Sequence, residues 1–162
     1  TGDAGLLADR LLTGLPNKKY DVGIIPHICD LKDSALDTVL KNYENSLFIN
    51  VKDDPVYVIQ QISSCRCILS GSLHGLIVAD SFNIPNMHLV FSDRPLGDGY
   101  KFDDYYSGYS LCHIYKDIRT DKLPELKEIA ESYLITKKAV DDKKSALISC
   151  FPKEFIKEGY AQ

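Results

Sequence analysis

Residues 67–86, CILSGSLHGLIVADSFNIPN, constrain this chain more than any other stretch, because an apolar strand runs through a Gly/Ser turn into an apolar helix. Cys67, Ile68 and Leu69 read as the end of a buried strand, and Ser70-Gly71-Ser72 as turn chemistry with Ser72 as N-cap. The helix is expected from Leu73 to about Asn83, a plausible left-handed stop, with Pro85 unable to continue it. A helix start of this kind offers free backbone amides and the positive end of the dipole, a setting for an anion such as phosphate. His74 falls in the first turn, where the dipole favours a neutral ring unless a bound anion restores the proton, which makes it a tunable proton donor. Gly75 costs about 1 kcal/mol against Ala inside a helix, so a ligand or a neighbouring strand is expected close to its backbone. The same spacing fits a tight helix–sheet contact beside a structural histidine, since such turns are common in α/β proteins.

The flanking sequence repeats the strand-then-helix alternation. Residues 20–28, YDVGIIPHI, form a short apolar run ending at Pro26-His27, and residues 47–51 another. Leu36, Val39, Leu40 and Tyr43 follow helical spacing after Asp33-Ser34, and Asp54-Pro55 is an N-cap and N1 pair that opens a helix through about Ser63. Residues 87–91 supply a further strand. The alternation predicts an α/β, Rossmann-like fold: a mainly parallel sheet, with segments near 22–28, 47–51, 66–70 and 87–91 as neighbours and helices on both faces. In such sheets ligands sit outside the carboxyl ends of the strands, where strand order reverses. His27 and His74 are therefore expected to line one crevice, although His27 equally suits a local hydrogen bond near Asp30.

Residues 92–104 read as a polar loop bearing Gly and Pro. Beyond it Tyr105, Tyr106 and Tyr109 offer ring faces for a sugar and phenols for hydrogen bonds, and Lys101 a cation for a carboxylate or phosphate; the alternative is a tyrosine-rich corner packing a domain edge. Residues 111–115 suggest a last short strand. Within 121–151 two one-sided helical patterns pack on the domain, with residues 141–144 on the solvated side.

Five cysteines, at 29, 65, 67, 112 and 150, lack zinc-ligand spacing; no metal site or cofactor is expected. Cys65 and Cys67, two apart on a strand, should share one face as small buried side chains. A formal charge of -4 with no basic stripe argues against nucleic acid as a partner. No run approaches the roughly 20 apolar residues of a membrane span, so membrane association is at most peripheral and a cytoplasmic location is expected.

Three blocks taken together resemble the polysaccharide pyruvyl transferase family: Gly2-Asp3-Ala4-Gly5-Leu6-Leu7, residues 70–86, and Lys101-Phe102-Asp103-Asp104-Tyr105-Tyr106-Ser107. The resemblance covers about residues 1–110, with a looser match near Phe151-Pro152. It implies that residues 1–162 are the single Rossmann-like C-terminal domain of a longer two-domain transferase, built like a glycosyltransferase of the B type. Such an enzyme moves a pyruvyl unit from phosphoenolpyruvate to a sugar of a surface polysaccharide or its lipid-linked precursor. By this resemblance His74 is the catalytic residue, and Ser70, Gly71, Ser72, Leu73 and Gly75 hold the donor. Lys101, Tyr105 and Tyr106 would border the donor carboxylate or the sugar, with Asp104 and Ser107 of the same block, and His27 from its place near a strand end, as further expected substrate-binding residues. Family members often carry Arg where this chain has Ser72, so phosphate affinity is expected from backbone amides, serine hydroxyls and another cation. A donor-binding domain of a nucleotide-sugar glycosyltransferase and a non-catalytic carbohydrate-binding domain are the alternative readings. The expected partners are phosphoenolpyruvate, a saccharide acceptor and the N-terminal domain of the same protein.

Overall fold

Apolar runs buried from both sides form the centre of the molecule. In the computed structural model, which describes residues 2–14, 17–97 and 99–151, five strands form one sheet: β1 (Tyr20–Ile25), β2 (Ser46–Phe48), β3 (Cys65–Ser70), β4 (Asn86–Val90) and β5 (Tyr115–Asp117). Every pairing is parallel, and the order is β2-β1-β3-β4-β5. Val22 pairs with Cys67 and Ile24 with Leu69, while Leu69 pairs with Met87. These residues are buried because helices cover both faces. The expected Rossmann-like α/β fold is the one observed, with the four anticipated strand segments as neighbours. The fifth strand lies a few residues beyond the anticipated 111–115.

Helices α1 (Leu36–Lys41) and α5 (Leu126–Ser132) cover one face, where Leu36, Val39 and Ile129 pack on Val22, Ile24, Leu69 and Leu89. Helices α2 (Pro55–Ser63) and α3 (Leu73–Ser81) cover the other, with Ile62 and Ala79 on Ile25, Ile49 and Ile68. Asp54 caps α2 as expected, its carboxylate accepting from the amides of Val56 and Tyr57 at 3.0 and 3.1 Å. A 3-10 helix over Ala4–Leu11 and α6 (Lys137–Cys150) lie outside α3, through Leu6, Ile77, Ile135 and Val140. This outer layer explains why α3 is apolar all round: it is enclosed on both sides. Asn83, at φ 54°, supplies the left-handed stop.

Three expectations are corrected. Residues 100–104 belong not to a loop but to α4 (Tyr100–Ser107), which opens after Gly99 at φ 82° and buries Phe102. Cys65 and Cys67 do not share a face: Cys65 opens β3 directly from the end of α2, where its thiol donates to Gln61 O at 3.3 Å, and it packs with Ile62 and Ile68. Cys67 packs opposite, with Val22 and Leu69. Finally, Lys144 is not on the solvated side. Asp141 and Asp142 do pair with Lys137 and Lys138 at the surface, but Lys144 is buried and donates to Asp9 Oδ2 (2.7 Å) and to Ser81 O (2.6 Å). It ties the 3-10 helix and α6 to the end of α3.

Candidate functional site

The order in which strands are added reverses between β1 and β3, which places the crevice of an open α/β sheet outside Ile25 and Ser70. The turn leaving β3 is tightly determined. Gly71 admits no side chain, since a Cβ there would stand 2.9 Å from His27 N and 3.2 Å from Leu89 O. Ser70 is fully buried, and its hydroxyl accepts from Ser72 N (3.0 Å) and donates to Ser72 O (2.8 Å). A Cβ on Gly75 would lie 2.4 Å from that hydroxyl and 3.0 Å from Ile25 Cδ1. The glycine in the first turn of α3 is thus required by the underlying strands. Ser72 is the N-cap residue, yet its side chain makes no capping bond. Among the described residues the amides of Leu73 and His74 have no partner, so the helix start keeps unsatisfied donors at the rim.

His74 projects from this start with 76% of its side chain exposed, and Asp3 Oδ2 lies 3.6 Å from its Nε2. Asp3 is held by its second oxygen, which accepts from Gly5 N at 2.7 Å, and Gly5 packs against Ile77 of α3. His27, Ser72, His74 and Gly75 line one cavity of about 380 Å³, completed by Asp53 and Pro55. The anticipated crevice therefore does bring the two histidines together. His27 Nδ1 accepts from Cys29 N at 3.3 Å, closing a 3-10 turn over Ile28–Asp30. Burial, with Lys101 nearby, pushes its imidazole below the ordinary value against the opposing pull of Asp30.

On the other side of α3, Leu73, Lys101, Asp104, Tyr105 and Ser107 line a second cavity of about 590 Å³ together with Asp3. Lys101 is exposed and has no ion-pair partner among the described residues; its ammonium lies 5.3 Å from the Phe102 ring centre. Ser107 donates to Asp104 O within α4 at 2.7 Å. The two tyrosines are half-buried and engaged elsewhere. Tyr105 donates to Asp80 Oδ2 (2.6 Å) and Tyr106 stacks on His113 with centroids 5.4 Å apart.

Sequence reading passed over Asp80, His88 and His113. Asp80 lies inside α3 with no exposure, and Asn86 Nδ2 (2.6 Å) and Tyr133 OH (2.9 Å) donate to its Oδ1. Burial pushes its carboxyl up to about 6 against these hydrogen bonds. His88, midway along β4, and His113, two residues before β5, meet at 2.9 Å and line a third cavity, of about 420 Å³, that extends to the carboxyl ends of both strands. The signals were weak: one polar residue in each of two apolar runs. Among the described residues no cluster of His, Cys, Asp or Glu suits a metal ion.

The model of the polysaccharide pyruvyl transferase family matches residues 2–93, more than half of the chain. The chain belongs to that family. The matched span holds Asp3, His27 and the whole β3–α3 turn, and ends before α4, so the Lys101–Ser107 block lies past it. An uncharacterized protein of Acanthamoeba polyphaga mimivirus is 34% identical over 115 residues, which cover 68% of this chain and 40% of that relative. The chain thus corresponds to well under two thirds of that relative's length. No solved structure matches. Among the described residues no helix is long and apolar enough to cross a membrane.

Proposed function

We propose that this chain is the C-terminal, donor-binding domain of a transferase that moves a pyruvyl group from phosphoenolpyruvate to a saccharide and leaves a pyruvate ketal. The observation that carries this reading is the uncapped start of α3 at the sheet's switch point, where the Leu73 and His74 amides are unpartnered beside an exposed histidine. Phosphate suits such a terminus through its free donors and dipole. Lys101, on the neighbouring helix and unpaired among the described residues, supplies the cation that Ser72 does not.

His74 is placed to act as general acid, giving its proton to the enol methylene carbon or to the departing phosphate. Asp3 Oδ2, 3.6 Å from Nε2, orients the ring. Protonation of the methylene turns it into a methyl group and makes the central carbon electrophilic. One sugar hydroxyl adds to that carbon, its C–O bond to phosphate breaks, and a second hydroxyl of the same sugar takes the vacated position. Of the two hydroxyl protons, one replaces the proton given by the acid and the other leaves with phosphate. Bringing donor and acceptor into register is worth several kcal/mol, and in this reading a second domain closes over the carboxyl rim to do so.

Thermal shift of the chain with phosphoenolpyruvate, inorganic phosphate and a panel of nucleotide sugars tests the donor. Stabilisation by phosphoenolpyruvate, lost in His74→Gln with Lys101→Ala, is expected. Stabilisation by nucleotide sugars alone would overturn the reading.

A further inference from the structure

His88, on β4, pairs in register with Tyr115 of β5, and this pairing brings His113 alongside it. Both rings are locked. His88 stacks on Phe102 with centroids 3.8 Å apart and planes 13° from parallel, and His113 stacks between Phe102 (5.1 Å) and Tyr106 (5.4 Å). Asp103 Oδ1 lies 3.3 Å from His113 Nδ1, and His113 Nε2 lies 2.9 Å from His88 Nδ1. The direction of this chain follows from donor and acceptor chemistry. A carboxylate only accepts, so the ion-pair contact with Asp103 favours the tautomer with the proton on His113 Nδ1; in that tautomer His113 Nε2 accepts from His88 Nδ1–H. What remains is His88 Nε2, a lone pair with no hydrogen-bond partner among the described residues, on a ring that lines the cavity. His88 is 8% exposed and the His113 side chain 5%.

The charge around the cavity narrows the ligand. Among the described residues its wall carries Asp30, Asp93, Asp103 and Asp117 against Arg119. Arg119 is already forked between Asp93 Oδ1 (2.9 Å) and Asp117 Oδ2 (2.7 Å). Asp30 is likewise taken, accepting from Ser92 Oγ at 2.6 Å with Arg94 Nε at 3.2 Å. A phosphate or carboxylate would face an acidic wall whose arginine is already paired, and the unpaired Lys101 does not line this cavity. Each carboxylate has a partner, but carboxylates offer about four lone-pair sites and retain capacity for hydroxyl donors. The half-exposed Tyr115 ring and the ring of Phe102 supply apolar faces, the usual partners of sparse, fixed polar groups in small-molecule sites.

We propose that the cleft running along β4 and β5 to their carboxyl ends binds a neutral polyhydroxylated ligand, with His88 Nε2, oriented through His113 by Asp103, accepting a hydrogen bond from a ligand hydroxyl. Burial and the neighbouring His113 and Lys101 lower the His88 pKa to about 3, so the ring accepts a hydrogen bond rather than storing a proton. His88 and Asp103 are positioning residues. Gly71 forms part of the same wall and is followed directly by the β3–α3 turn, so a ligand here lies beside the helix start. That this ligand is the acceptor of pyruvyl transfer rests on the function proposed above; its binding does not.

The test is nitrogen-detected NMR of the histidine rings in the full chain, without any donor, titrated separately with methyl α-D-glucopyranoside, methyl α-D-galactopyranoside, methyl α-D-mannopyranoside and inorganic phosphate. At least one glycoside should shift His88 and His113 saturably, with His88 protonated on Nδ1 throughout, while phosphate leaves both rings unmoved. Asp103→Ala, at an exposed position, should keep the fold and weaken glycoside binding about three- to tenfold. No saturable shift with any of the three glycosides, a shift with phosphate, or unchanged affinity in Asp103→Ala would overturn the proposal. Glycoside binding at His88 in a chain that phosphoenolpyruvate does not stabilise would support this site while sinking the function proposed above.

Discussion

The Tyr105 phenol donates a 2.6 Å hydrogen bond to Asp80 Oδ2, a carboxylate with no surface exposure and no cation paired with it among the described residues. Tyr133 and Asn86 donate to the other oxygen. Helix α4 is therefore fixed to α3 through a buried acceptor, and with it the placement of Lys101 one turn away. Removing one donor leaves the carboxylate short of a partner inside the protein, a loss of about 1–3 kcal/mol. Tyr105→Phe should lower unfolding free energy by that amount in urea titration, and Tyr106→Phe, whose phenol does not touch Asp80, by less.

Asp80 and His88 should oppose one another in pH dependence. The Asp80 carboxyl is raised from 3.8 to about 6, so between those values the folded chain holds a proton that the unfolded chain has given up. Its contribution is fully present below pH 3.8 and is lost as pH rises through 6, on the order of 3 kcal/mol. His88 is lowered from 6.5 to about 3, so the unfolded chain takes up a proton that the folded chain refuses. That contribution is present above pH 6.5 and is lost as pH falls toward 3; His113, also lowered by burial, adds to it. Across pH 4–6 the slopes partly cancel. Asp80→Asn should make stability rise more steeply with pH over this interval, and His88→Phe less steeply than in the parent. Urea titrations at unit pH steps read both, and parallel curves for the two variants would rule out the opposition.

Gly75 should tolerate no side chain. The Cβ of Gly75→Ala would meet Ser70 Oγ at 2.4 Å, and that hydroxyl cannot swing away without giving up both of its bonds to Ser72. Overpacking of this kind costs about 1–3 kcal/mol. Ser70→Ala removes the clashing oxygen, so the double variant should recover part of the loss; thermal unfolding of the two single variants and the double variant measures the coupling. Simple additivity would show that the clash is not with Ser70.

The strand and helix alternation was legible because its signals are local: apolar runs at 20–28 and 67–69, the Asp54-Pro55 start, Asn83 before Pro85. The turn at 70–75 was legible as a feature, and the neighbouring strands expected close to Gly75 are there as Ser70 and Ile25; the inward direction of the Ser70 hydroxyl was not legible. Helix α4 was hidden because Gly97 and Gly99 read as loop and its apolar face is assembled from Phe102 and two tyrosines among charges. Asp80 and Tyr105 are 25 residues apart, as are His88 and His113, and only the packing of α4 and the β4–β5 pairing brings them together. No local period encodes such meetings.

The last prediction concerns His74. Its side chain is three-quarters exposed and its polar neighbour within ion-pair distance is Asp3, so substitution removes little packing. His74→Gln should leave the thermal midpoint within a degree or so of the parent, as surface changes of under about 0.5 kcal/mol do. In a protein that includes the donor and acceptor halves, turnover should fall by about two to four powers of ten, the range for losing a general acid. Asp3→Asn should act in the same direction more weakly, since the carboxylate acts by orienting the imidazole. Phosphate release and product mass from phosphoenolpyruvate and an oligosaccharide acceptor report turnover. Near-normal turnover in His74→Gln with an intact fold would leave the histidine a surface neighbour of Asp3 and move the search for the acid to Lys101 and His27.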